Sequence, residues 1–267
     1  MAEEIRIPLD GTYLPITKFG SGKKNLVILP GISLLGLEGQ GAAIAQAYAL
    51  FSADYTCYLI DRKKILPQGY TVRDMTEDVY RVLQMLSVEC ADFFGVSQGG
   101  MIALQMALEH PQTVRKMILG SAAAKVPPEA DTLFRQWERW TAEENIPALN
   151  GSFFENVYSE QFRAENREAL QGLLHVGTPE DCKRFAVLVR ACREFDVYDR
   201  LSDITCPVLV IGAAEDRVFN GRTVARALAE KLGCAIYLYG DGYGHAVYDE
   251  APDYKQRMYC FLKQKKT

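Results

Sequence analysis

The sequence predicts an α/β fold: a mostly parallel, doubly wound sheet of about eight strands, wrapped by helices and carrying one helical insertion. Three observations predict it. Short apolar runs alternate with amphipathic or alanine-rich stretches along most of the chain. Runs such as Pro207-Val208-Leu209-Val210-Ile211-Gly212 are nearly pure apolar, as strands are when helices cover both their faces. The alternation breaks once, over residues 124–199, which contain helical stretches rich in tryptophan, phenylalanine and charge.

In chain order, Ile5–Leu9 and Tyr13–Phe19 are expected to form an antiparallel hairpin, followed by a strand at Leu26–Leu29. Gly41–Ser52 is alanine-rich and predicts a helix, and Tyr55–Ile60 the next strand. Thr71 is an N-cap residue with Asp74 three positions later, and Val72, Met75, Val79, Val82 and Leu86 then recur at helical spacing. Ala91–Val96 is a strand that passes at once into a helix, which Pro111 stops, and Val114–Gly120 is another strand. Within the break, Leu133-Phe134-Arg135-Gln136-Trp137-Glu138-Arg139-Trp140 is helical, and Thr178-Pro179-Glu180-Asp181 marks a second helix start by its capping hydroxyl, first-turn proline and acids. The strands at 207–211 and 237–239 complete the sheet. Residues 1–123 and 200–267 are thus read as one core, with 124–199 a helical cap inserted in the same domain.

A chain of 267 residues with 48% hydrophobic content can bury a full core. The net charge of −4 provides no basic field for nucleic acid or an anionic membrane, and the tail Lys263-Gln264-Lys265-Lys266 reads as a solvated end. Seven scattered cysteines, with no Cys-x-x-Cys, read as reduced, buried thiols of a cytoplasmic protein. The N-terminus lacks the pattern of a signal peptide, and no apolar run approaches a membrane span. No metal-ligand cluster or cofactor motif is present, so neither a metal nor a cofactor is expected.

The most informative run is Ala91-Asp92-Phe93-Phe94-Gly95-Val96-Ser97-Gln98-Gly99-Gly100. A strand ends in Gly-x-Ser-x-Gly and a helix begins immediately. So sharp a turn forces its middle residue into a strained conformation, and Gly95 and Gly99 leave room where side chains would collide. Ser97 is then presented at a helix N-terminus, where unpaired N–H groups and the dipole favour a developing oxyanion. The run resembles the nucleophile elbow of the α/β-hydrolase family.

A serine hydroxyl needs an imidazole to take its proton, and the chain has only His110, His175 and His245. His110, before Pro111, reads as a helix-end residue in contact with the dipole. His175 falls in the inserted segment and reads as a packed or solvated loop residue. His245 follows Tyr237-Leu238-Tyr239 and a glycine-rich loop, at the end of a strand where α/β sheets carry their chemistry. The loop after Ile211 offers two acids, Glu215 and Asp216. The resemblance favours Asp216, because the family often shows Asp-x-Val there and this chain reads Asp216-Arg217-Val218; Glu215 is the alternative. The order Ser97, Asp216, His245 is the one the family uses.

The resemblance, to the capped members of the family, spans Tyr13 to about Leu262. It implies an oxyanion hole made by the backbone N–H groups of Gln98 and Ile32. Many relatives have His-Gly where this chain has Pro30-Gly31; the donor is main chain, so that histidine is dispensable. Serine at the elbow separates the chain from dehalogenases and epoxide hydrolases of similar shape, which place aspartate there. The expected function is serine hydrolysis of a small carboxylic ester or related acyl substrate through an acyl-enzyme on Ser97. The alternatives are a ligand-binding or signalling protein on the same scaffold, or a carbon–carbon hydrolase, lyase or acyltransferase. The expected partner is a small acyl molecule, with neither nucleic acid nor membrane; a homodimer is left open.

Overall fold

A computed structural model describes residues 2–264, and Lys265 and Lys266 of the basic tail lie outside the described residues. Eight strands form one sheet: β1 Glu3–Leu9, β2 Thr12–Phe19, β3 Lys24–Leu29, β4 Tyr55–Ile60, β5 Ala91–Val96, β6 Val114–Gly120, β7 Val208–Ala213 and β8 Ala235–Tyr239. Their order is β1-β2-β4-β3-β5-β6-β7-β8. The β1–β2 and β2–β4 pairs are antiparallel and every other neighbouring pair is parallel. β5 and β7 are buried at every position; β7 is apolar throughout, and the one charge in β5, Asp92, is paired with Arg115 at 2.8 Å.

The winding direction changes between β3 and β5. The chain leaves β3 towards β4 on one side and leaves β5 towards β6 on the other, so the two connections diverge and open a crevice at the carboxyl ends of these strands. This switch point places the loop after β3 beside Ser97.

The helix Val72–Met85 begins on a capping box in which Thr71 Oγ1 accepts from the Asp74 N–H at 3.2 Å and Asp74 Oδ2 accepts from the Thr71 N–H at 2.8 Å. Its Val72, Met75, Val79 and Val82 are buried against the sheet. The single helix expected at Gly41–Ser52 is shorter: an α-helix covers Gly41–Ala47 and a separate 3₁₀ turn covers Ala49–Phe51. The break at Tyr48 has a packing reason. The tighter turn lets Tyr48 and Phe51 both reach the sheet, Tyr48 against Phe94 and Phe51 against Tyr55, with ring centroids about 6.3 Å apart in each case.

Between β6 and β7 the chain forms five helices, Pro128–Ala142, Ile146–Val157, Glu160–Glu165, Arg167–Leu173 and Pro179–Arg193. They pack around Trp137, whose ring lies 5.3 Å from Phe134, 5.4 Å from Phe153 and 6.0 Å from Phe185, in a cluster continuous with the core on that face of the sheet. Its indole N–H donates to Ser152 Oγ at 3.1 Å. Arg193 joins the first and last of these helices through Asp131 at 2.6 Å and Glu138 at 2.5 Å. The insertion leaves and re-enters the sheet at one narrow stem: Lys125 bridges Asp196 in antiparallel fashion with an ion pair of 2.6 Å, and the Val197 N–H donates to Ala124 O at 2.9 Å. Among the described residues, no helix is long and apolar enough to cross a membrane. No disulfide joins the seven cysteines; Cys57, Cys182 and Cys192 are buried as expected, whereas Cys90, Cys206 and Cys234 are half-buried and Cys260 is exposed.

Candidate active site

Ser97 is the single residue between β5 and the helix Gln98–Glu109. Its φ of 53° and ψ of −121° put it in a region costly for a residue with a side chain. Two glycines make the turn feasible. A Cβ on Gly99 would stand 1.9 Å from Leu29 O, and one on Gly95 would stand 2.3 Å from Gly99 O. The Ser97 N–H donates to Gly120 O at 2.9 Å, which ties the elbow to the end of β6. Gly99→Ala is therefore expected to cost about 3 kcal/mol or more, at or beyond the upper end for overpacking, because the obstacle is main chain and cannot move aside. Urea unfolding checks this; a midpoint equal to wild type would contradict the close approach.

The loop after β3 comes directly against the serine. A Cβ on Gly31 would be 3.3 Å from Ser97 Cβ and 3.8 Å from its Oγ. Among the described residues nothing accepts from the Ile32 N–H. Gln98 is the first helical residue, so its N–H has no partner within the helix. Both amides are thus free donors on segments that meet at Ser97. Ser33, in the same loop, donates its hydroxyl to Leu35 O.

Asp216 follows β7 and is 4% exposed. Its Oδ1 accepts from the N–H groups of Val218 at 2.9 Å and Phe219 at 3.0 Å, which fixes the carboxylate plane. Its Oδ2 lies 2.8 Å from His245 Nδ1. An ionised carboxylate only accepts, so Nδ1 carries the proton in this pair and Nε2 is left with its lone pair. His245 is 4% exposed and packs edge-on against Phe219 at 5.3 Å. The following Ala246 N–H donates to Val157 O at 2.9 Å, so the insertion braces this loop. Glu215, the alternative acid, is exposed and makes no bond to the imidazole.

Ser97 and His245 line one cavity of about 350 Å³. Its walls come from the loop after β3, through Ile32 and Leu34, and from the insertion, through Trp137, Phe153 and Val157. An imidazole held with Nε2 free can take a proton from a hydroxyl in the cavity it lines, and free amides beside that hydroxyl can hold a negative oxygen. The other two histidines are elsewhere. His110 stacks on Tyr80 at 3.7 Å and pairs with Glu77 at 2.7 Å; His175 is exposed in a turn of the insertion.

Residues 25–252 match the family model described as the alpha/beta hydrolase fold. The chain belongs to the α/β-hydrolase family. A Rhizobium rhizogenes protein named a carbamate hydrolase, RutD, is 29% identical to this α/β hydrolase over 241 residues, which are 85% of this chain and 90% of the relative. The 3-oxoadipate enol-lactonase 1 of Acinetobacter baylyi is 26% identical over 157 residues, 57% of this chain and 56% of that one. Among solved structures, the α/β hydrolase MGS-M2 from a deep-sea metagenome of the Medee basin superposes with a TM-score of 0.87 at 22% identity, covering 98% of each chain. These relatives are named hydrolases, and this α/β hydrolase is an enzyme of that kind.

One residue at the site escapes sequence reasoning. Asp61-Arg62-Lys63-Lys64 looks like a solvated run of charges, yet Arg62 is 3% exposed and donates from Nε to Gln98 Oε1 at 3.0 Å and from Nη1 to Gly31 O at 3.2 Å. The available clue was position: the run leaves the carboxyl end of a parallel strand, where the crevice lies.

Proposed function

We propose that this protein is a serine hydrolase of small, neutral, largely apolar acyl substrates, esters or lactones, acting through an acyl-enzyme on Ser97. The observation that carries the reading is the buried Asp216–His245 pair at 2.8 Å, opening into the same cavity as Ser97. In this mechanism Ser97 Oγ attacks the carbonyl carbon as His245 Nε2 takes its proton. The imidazolium, steadied by Asp216, returns that proton to the leaving oxygen. Water then repeats the sequence on the acyl-enzyme, and the Ile32 and Gln98 amides hold the oxyanion in both halves. The inserted helices serve as a cap over the reacting carbonyl.

Neutrality follows from the lining. Among the described residues no lysine or arginine lines the cavity, and the one carboxylate there, Asp249, has Lys255 Nζ at 3.6 Å. A substrate carboxylate entering there exchanges its hydration for no cation. The relatives named for a carbamate and an oxoadipate enol-lactone support acyl hydrolysis as the reaction class. A fluorophosphonate is expected to label the protein once, at Ser97. p-Nitrophenyl butyrate is expected to exceed the p-nitrophenyl hemiester of succinate in kcat/KM by about a hundredfold, the cost of an unpartnered anion. Labelling without turnover of any acyl chain length would favour a binding protein on this scaffold, and equal kcat/KM for the two esters would remove the neutrality argument.

A further inference from the structure

Burying a guanidinium costs several kcal/mol unless its donors are used, and an apolar side chain of similar volume is often the more stable choice. Arg62 is only partly compensated. Asp61 Oδ1 is 3.7 Å from its Nη1, but the same oxygen also accepts from Arg184 Nη2 at 3.4 Å, so two cations share one carboxylate. Arg62 Nη2 is buried without a hydrogen-bond partner among the described residues. Stability alone does not explain this residue.

Its two acceptors do. The Gly31 carbonyl and the Ile32 N–H belong to one peptide unit. That unit is planar and trans, so its C=O and N–H point in opposite directions. A donor that holds the carbonyl therefore sets where the N–H aims. The second acceptor is the side chain of Gln98, the residue whose own N–H is the other free amide at Ser97. The far end of that side chain is held as well, with Nε2 donating to Leu188 O at 2.7 Å and lying 3.1 Å from Cys192 Sγ. One guanidinium thus spans both arms of the site, the loop after β3 and the start of the elbow helix, and links them to the inserted helix Pro179–Arg193.

We propose that Arg62 is a positioning residue for the oxyanion hole: it orients the Ile32 N–H through the Gly31 carbonyl and fixes Gln98 through its side-chain amide. It touches no substrate. The inference rests on the acyl-enzyme reading above, and acts on the transition state alone, since the negative oxygen exists only there.

The test uses Arg62→Met, which removes both bonds, and Arg62→Lys, which keeps the charge but cannot span both acceptors. Each is measured for kcat and KM on p-nitrophenyl butyrate, for affinity towards an alkyl trifluoromethyl ketone that forms a tetrahedral adduct on serine, and for thermal unfolding. Losing one oxyanion donor costs about 10²–10³ in kcat, so misaiming one is expected to lower kcat about 30- to 100-fold in Arg62→Met and less in Arg62→Lys. KM should stay within about threefold, and ketone affinity should fall in step with kcat/KM. A residue that only supports the fold would not produce that parallel. Folded variants whose kcat and ketone affinity stay within about threefold of wild type overturn the proposal, as does a fall in kcat with ketone affinity unchanged. If Arg62→Met does not fold, Arg62→Lys decides by the same criteria. Ser97→Ala run alongside separates the two levels: activity retained there sinks the acyl-enzyme reading itself, whereas activity lost there with normal Arg62 variants sinks only this inference.

Discussion

Ser97→Ala is expected to abolish ester hydrolysis while leaving the fold intact. Without Oγ no acyl-enzyme can form, and removing a nucleophile that acts as one unit with its base costs about six orders of magnitude in kcat in a well-studied serine protease. The structural cost is small because the strain at φ 53° belongs to the backbone and is retained by alanine, while the side chain contributes little packing. The measurements are p-nitrophenyl butyrate turnover, fluorophosphonate labelling and thermal unfolding of the same preparation. Activity within tenfold of wild type, in a folded variant, would remove Ser97 from the mechanism.

Asp216→Asn is expected to be the next most severe change and Glu215→Gln nearly silent. Asp216 accepts three hydrogen bonds, two from the Val218 and Phe219 amides and one from His245 Nδ1. Asparagine has the same shape but can present an NH₂ to Nδ1. The imidazole then turns to the tautomer with its proton on Nε2, where it cannot serve as a base. The same exchange in a serine protease costs about 10⁴ in kcat, and a loss of about 10³ or more is expected here, with KM little changed. Glu215 is exposed beside it and its neutralisation should leave kcat within about twofold. A wild-type rate for Asp216→Asn together with a dead Glu215→Gln would move the acid by one position.

The adjacency of Ser97, Asp216 and His245 is legible in sequence because each follows the carboxyl end of an apolar strand, and parallel strands bring their carboxyl ends to one edge whatever lies between them. Gly95 and Gly99 are legible for a related reason: a close main-chain approach leaves only one residue type. Arg62 is not. Whether a charge faces water depends on what the other strands bring against it, and Gly31 and Gln98 are 31 and 36 positions away. The split of Gly41–Ser52 at Tyr48 is hidden likewise, because alanine spacing reports helix propensity while the break is dictated by rings on β4 and β5. In the insertion, the cap of the helix at Pro179 is local and readable, but which aromatics face the cavity follows from how the helices pack on one another.

The stem where Lys125 meets Asp196 has a consequence for how such a protein diversifies. Because the two ends of the insertion are already paired, the sheet experiences a 70-residue excursion much as it would a tight hairpin. The entropic penalty of closing a loop rises only slowly with its length. Changes distal to Ala124 and Val197 therefore leave the strand register alone and are felt by the site only where the insertion touches it, at Val157 O, which accepts from the Ala246 N–H, and at Leu188 O, which accepts from Gln98 Nε2. A chimera joined at that stem thus inherits the elbow and the Asp216 loop intact provided that it keeps those two carbonyls in place.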